Sequence, residues 1–450
     1  MIALLLLGAA WGRPTDGSGL RAFSAEDRVV SFDGAEGRAR VWYSEAGPNA
    51  TLRADADQDG IPDFVEAVAA RTEDVLDVYA GVGFRAPLPD SGAGGSDALD
   101  VYLVDFGGDA DGMYVAEACD AAPRACAGHV LLENDFVGYG YASIDTAVTV
   151  LVSHELFHAV QAAYDADQEL WVSEGTATWA EDLYDPGSRD FLRFCGAYLQ
   201  DAGRSLDRPP TGPVPAFAYG TALWWWFLAD RYGTDVLVDL LEDSASSDGD
   251  ALGDVGRRVE EAGGALDADF ADFARRNAAT GLRAGAEPGY PFAAQLTPPP
   301  LAARGASIDD TNRYYPLAAT YYGLEHPGGA AWFATGTDAP DLVFSLHPLD
   351  GAGRLQAPLD TFAGTAAPRA LGELAAGSYV LVGVNPVRAE ASTRVRTCLG
   401  PAELAEACAG DPVTSATASP KTGGCAVAGA PGIFFLAGMA SLRRRRRPAR

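Results

Sequence analysis

His154, Glu155 and His158 stand in the run Ser153-His-Glu-Leu-Phe-His158, an H-E-x-x-H pattern inside a stretch of helical periodicity. Residues four apart share one helical face, so both imidazoles can point at one ion with Glu155 beside it. Imidazole nitrogens suit zinc, and a carboxylate next to that ion can take a proton from water. With five histidines in 450 residues, an H-x-x-x-H pair is expected by accident roughly 0.06 times, and Glu in second place is rarer still. A catalytic zinc takes three protein ligands and keeps one position open. The best third ligand is Glu174, in Trp171-Val-Ser-Glu174-Gly175-Thr-Ala177; Glu181 and Asp182 remain as alternatives, or as partners that orient the imidazoles.

The Trp171–Ala177 run resembles the W-x-x-E-G-x-A signature of gluzincins, the zinc peptidases related to thermolysin, the bacterial collagenases and aminopeptidase N. The resemblance implies that Glu174 binds zinc, that Glu155 is the general base, and that the reaction is peptide-bond hydrolysis. His158 and Glu174 are 16 residues apart, a shorter connection than in thermolysin or aminopeptidase N. Tyr219-Gly220 resembles the Y-x-K-G-A region of aminopeptidase N relatives, without its Lys, which implies Tyr219 as the hydrogen-bond donor to the oxyanion. The G-x-M-E-N motif that holds a substrate amino group is absent, although Glu133-Asn134 stand in the strand expected over 128–135, so an endopeptidase is favoured over an aminopeptidase. That strand is expected to be the edge on which an extended peptide lies, with His129 structural. His326 and His347 have no ligand-like neighbours.

A second oxygen-rich pattern precedes the first. Asp55, Asp57, Asp59, Asp63 and Glu66, with the carbonyl of Ile61 and a glycine at position 60, have the spacing of a calcium loop. A helix is expected after it over 64 to about 79, and no entering helix before it. The acidic stretch 105–111 lacks this spacing and reads as a solvated turn.

These residues need a scaffold. Strands are expected over 28–32, 39–43, 100–106 and 128–135, then a helix over 145–164 capped by Asp145 or Ser143. Helical periodicity returns over 171–183, 191–199, 220–232, 236–241 and 267–277, and short β-like runs follow from 301. The expected fold is α+β: a zincin-like catalytic domain, with a small sheet, the H-E-x-x-H helix and a helical second half, followed by a β-sandwich domain. The expected divisions are a signal peptide over 1–19, an N-terminal segment with the calcium loop over 20–96, the zinc domain over 97–290, the β-sandwich over 301–400, a linker over 401–424 and a sorting tag over 425–450.

The net charge of −29 repels a phosphate backbone and excludes nucleic acid as a partner. The apolar run from Ile2 to Leu7 followed by small residues reads as an export signal. At the other end, Gly423-Gly-Cys425-Ala-Val-Ala-Gly429, an apolar stretch too short for a comfortable transmembrane helix, and the arginines 443–447 resemble the MYXO-CTERM sorting signal of myxobacteria. This implies membrane contact before processing, cleavage near Cys425, and a mature protein at or beyond the cell surface. Disulfides are then expected between Cys119 and Cys126 and between Cys398 and Cys408, leaving Cys195 free. The order of parts resembles that of secreted myxobacterial metalloproteases, which implies a monomer acting on protein or peptide substrates. The rival reading is a calcium-binding surface adhesion or scaffold protein with a silent zinc site.

Overall fold

The computed structural model describes residues 12–17, 21–120, 124–211, 214–246, 250–285, 289–388 and 391–409. The fold is α+β. Most of the expected signal and the whole sorting tag lie outside the described residues. No helix among the described residues is long and apolar enough to cross a membrane.

The first sheet holds β1 (Val29–Asp33), β2 (Ala39–Ser44), β3 (Leu99–Val104), β4 (Gly112–Cys119) and β5 (Cys126–Glu133), in the order β1-β2-β3-β5-β4. Strand β2 runs parallel to β3, so residues before 96 belong to the same sheet as those after 97. Between β2 and β3 lies α1 (Asp63–Val82), which packs on the central helix α2 (Ile144–Ala162).

Strand β5 is not the edge expected from the sequence. It is paired on both sides, parallel to β3 and antiparallel to β4, and the edge is β4. The pattern of β4 hides it: its first four residues are buried and its last four exposed, with no alternation to mark a strand. The disulfide Cys119–Cys126 closes the far end of this pair, and the expected bridge Cys398–Cys408 is also formed; Cys195 is free and buried.

Helix α2 is buried on almost every face and packs against β4 and β5 on one side. Its N-terminus is capped by Ser143, whose hydroxyl accepts from the Thr146 N–H. Residues 163–169 turn the chain into α3 (Leu170–Tyr184), which lies along α2. Gly175 on α3 is required by packing: a Cβ there would come within 2.2 Å of Thr221 Oγ1 and 2.5 Å of Trp225 Nε1. The same contact stacks Trp171 on Trp225, ring centroids 5.0 Å apart, with Thr221 and Trp225 both donating to the Trp171 carbonyl. The glycine of the W-x-x-E-G run thus lets α3 seat closely and fixes the height of Glu174.

The helical half continues through α4 (Leu192–Gln200), α5 (Ala216–Gly220), α6 (Ala222–Tyr232), α7 (Asp235–Ser244), α8 (Ala251–Glu261) and α9 (Leu266–Ala278). Helix α8 has no counterpart in the sequence reading; Gly253 and Gly256 weaken its helical signal, each by about 1 kcal/mol against Ala.

Nine strands follow: β6 (Leu301–Gly305), β7 (Ile308–Tyr314), β8 (Ala318–His326), β9 (Gly329–Thr335), β10 (Ala339–Pro348), β11 (Asp360–Gly364), β12 (Arg369–Leu374), β13 (Gly377–Asn385) and β14 (Thr393–Gly400). They form two sheets, β11-β10-β13-β8-β6 and β12-β9-β14-β7. Phe344 and Leu381 of the first meet Phe333 and Val395 of the second in one apolar cluster.

Two expected boundaries move. The linker expected from 401 begins with a helix, α10 (Ala402–Ala409), bound to β14 by the second disulfide because Ala405 and Cys408 bury against Ala334. The signal expected over 1–19 includes Arg13, whose guanidinium is buried and binds Asp90, Asp100 and Glu117. Asp100 also accepts from Trp42 Nε1 at 2.7 Å, and Glu117 meets His129 at 3.1 Å. Removing residues to 19 would leave these carboxylates buried without their guanidinium, so residue 13 belongs to the folded body.

Candidate metal centre

Helices α2 and α3 bring His154, His158 and Glu174 together, and the three form a group able to hold a metal ion. The two Nε2 atoms are 3.2 Å apart, and Glu174 Oε2 lies 3.5 Å from that of His154 and 3.8 Å from that of His158. All three side chains are buried, with exposures of 5% or less. Neither Glu174 oxygen has a hydrogen-bond partner of normal geometry, an arrangement that leaves lone pairs for a cation.

The metal-free protonation pattern follows from the same geometry. The two Nε2 atoms, 3.2 Å apart, are within hydrogen-bond distance of each other. Burial works against the charged form of His154, but the carboxylates of Glu174, Glu181 and Glu155 overcome it and raise that imidazole to about 10. Burial lowers His158 to about 4, outweighing the pull of Glu174.

The outer nitrogens are held as well. His154 Nδ1 meets Glu181 Oε1 at 2.9 Å, and His158 Nδ1 meets Gln161 Oε1 at 2.7 Å. Glu181 is therefore an orienting partner and not a ligand. Asp182, the other alternative, faces elsewhere: it binds Arg189 and accepts from Trp226 Nε1. Gln161 escaped the sequence reading, although its position three residues after His158 puts it on the same helical face.

Glu155 lies beside the triangle with its Oε2 buried and unpartnered. Burial pushes its carboxyl up to about 8; His154 pulls it down, while Glu174 and Asp111 push it further up. The start of β4 comes close over it, since a Cβ on Gly112 would stand 2.8 Å from Glu155 Oε1. Gly112 allows backbone to approach the carboxylate where any side chain would displace it.

Tyr219, at the end of α5, is placed at the same centre. Its ring is 5.8 Å from that of His154 and stacks on Phe194 at 4.9 Å. Burial, then the Glu174, Glu155 and Asp111 carboxylates, keep its phenol protonated well above the ordinary range. Asp111 itself is buried; its Oδ2 accepts from Tyr141 at 2.8 Å, and Arg193 donates to the Tyr141 hydroxyl.

The remaining histidines are structural. Val130 and Leu132 of β5 face α2, whereas His129 alternates to the opposite face beside Tyr102. Glu133 accepts from the Phe106 N–H and Tyr139, and Asn134 donates to the Ala50 carbonyl. His326 accepts from Gly328, and His347 lies between Gln356 and Ser345.

No helix enters the acidic segment from Asp55, and α1 begins within it at Asp63. Asp55, Asp57 and Asp59 offer oxygens within 4.8 Å of one another. Asp55 accepts from the Gln58 and Gly60 N–H groups, Asp59 from that of Ile61, and Asp63 from that of Ala56. Gly60 turns the chain at φ 96°. Local burial, then the charges of Asp59, Asp57, Asp63 and Asp55, raise the Glu66 carboxyl above its ordinary value. The sequence matches no protein-family model and no curated protein.

Proposed function

We propose that this chain is an exported zinc-dependent peptidase, an endopeptidase in preference to an aminopeptidase, that hydrolyses peptide bonds of protein substrates. The carrying observation is the His154–His158–Glu174 triangle with Glu155 beside it. Four-coordinate zinc with bonds of 2.0–2.1 Å separates its ligands by about 3.3 Å, close to the 3.2, 3.5 and 3.8 Å edges of this triangle. Zinc bound there supplies a Lewis acid that polarises a carbonyl and makes water a nucleophile near neutral pH. Glu155 takes the proton of the attacking water and delivers it to the leaving amine. The Tyr219 hydroxyl donates to the carbonyl oxygen as charge develops on it. Edge strand β4, whose backbone lies against Glu155, takes the extended substrate by strand addition.

The wider reading is a zincin-like unit with a β-sandwich formed by the paired C-terminal sheets, which holds substrate or the cell surface. The chain acts as a monomer without nucleic acid, exported by its N-terminal signal and sorted by its C-terminal tag. The test is hydrolysis of a denatured protein by the purified chain. Activity is expected to vanish with a chelator and return with one equivalent of zinc. Full activity after metal removal would overturn the reading.

One observation favours a second reading, a surface scaffold with a structural metal: His154, Glu155, His158 and Glu174 are all almost fully buried. Stoichiometric zinc binding without hydrolysis of any denatured substrate would select it.

Calcium is proposed for Asp55, Asp57, Asp59, Ile61, Asp63 and Glu66. Repulsion among three carboxylates ahead of α1 and two in its first turn would be relieved by a hard cation, so chelator-treated protein is expected to melt at a higher temperature when calcium is returned. Identical melting temperatures with and without calcium would remove calcium from the account.

A further inference from the structure

We propose that Gln161 is a positioning residue that sets the tautomer of His158 and thereby aims its Nε2 lone pair at the metal. The inference rests on His158 being a ligand, and its logic runs inward from helix α3. Thr176 Oγ1 gives its proton to the Val172 carbonyl, at 2.8 Å, so only a lone pair remains for Gln161 Nε2 at 2.7 Å. The second neighbour of that nitrogen, at 2.8 Å, is the Ser173 carbonyl oxygen, which can only accept. The amide of Gln161 therefore has one orientation, with its NH2 toward α3 and its Oε1 toward His158. Oε1 is itself an acceptor, so the His158 nitrogen 2.7 Å away, Nδ1, must carry the hydrogen. Nε2 is then left unprotonated, as a metal ligand must be.

The two imidazoles are thus oriented by different chemistry. His154 faces the carboxylate of Glu181, whereas His158 faces a neutral amide. Glu155, Glu174, Glu181 and Asp111 already place four carboxyl groups in the buried centre. A fifth at position 161 would add repulsion and face the Ser173 carbonyl, so an amide satisfies both ends where an acid satisfies one. The relay also makes the site conditional on helix docking, because the turn of α3 that contains Glu174 supplies Val172, Ser173 and Thr176.

The experiment uses the full chain labelled with 15N-histidine, whose five imidazoles keep the spectrum sparse, with zinc affinity measured by chelator competition. In the metal-free parent His158 is expected as the Nδ1–H tautomer. Gln161→Leu, which removes the acceptor, is expected to abolish that preference and weaken zinc binding by roughly 10- to 100-fold. Gln161→Glu keeps an acceptor for His158 but loses both donors to α3; it is expected to retain the tautomer and to lose less zinc affinity than Gln161→Leu. Equal loss of affinity in the two variants would mean that Gln161 only fastens the helices, and parental affinity in Gln161→Leu would end the proposal. Neither readout requires peptidase activity, so a failure here is separable from a failure of the proposed reaction.

Discussion

Replacing Glu155 by Gln is expected to lower turnover of a denatured protein by about 10²–10⁴-fold, the range of a lost general base, with zinc still bound at one per chain. Gln has the shape of Glu and fills the same buried space under Gly112, so the His154–His158–Glu174 triangle is not disturbed. It cannot accept a proton from water. The carboxyl is already strained toward its neutral form, at about 8, by burial and by Glu174 and Asp111. A cation in the triangle acts in the opposite sense and favours the ionised base. The check compares zinc-loaded parent and variant under the same conditions. Parental kcat in the variant would take the base role from Glu155.

Replacing Arg13 by Gln is expected to reduce unfolding free energy by about 3–5 kcal/mol, the cost of breaking a buried ion pair from one side. Three carboxylates, Asp90, Asp100 and Glu117, converge on this guanidinium, and the Asp100 side chain is fully buried. Without Arg13, Asp100 keeps only the Trp42 indole as a near donor. Urea denaturation measures the difference; a loss under about 1 kcal/mol would place the cluster among weak surface pairs. A large loss would show that residue 13 is part of the folded body.

The centre was more legible in the sequence than the scaffold. His154, Glu155 and His158 are set by one helical period, whereas Glu174 followed from the resemblance of a short run on the next helix to a known signature. Tyr219 followed from a resemblance and stands at the same centre. Gln161 is equally local but has no charge or metal-binding chemistry of its own to announce it. Asp111, read as part of a solvated turn but buried, and Gly112 were missed for another reason: they reach the centre through sheet pairing, which no local pattern encodes. The same cause misplaced the sheet edge, because which of β4 and β5 lies outside depends on β5 finding β3. The place of Arg13 in the folded body is tertiary too, since its partners Asp90, Asp100 and Glu117 lie 77 residues and more away.

The side chains of the His154–His158–Glu174 group and their outer contacts Gln161 and Glu181 lie on two consecutive helices joined by residues 163–169. Closing so short a connection costs little chain entropy, whereas β7 must find β14 across 89 residues at the Asp309–Cys398 pair. Helical hairpins assemble on faster timescales than such strand pairings. An ion bound there during folding would be captured while most of the chain is still searching, and its binding energy would enter the folding barrier as well as the final balance. A metal would then act as a nucleating tie, and its supply would set how fast the body forms around the α2–α3 pair.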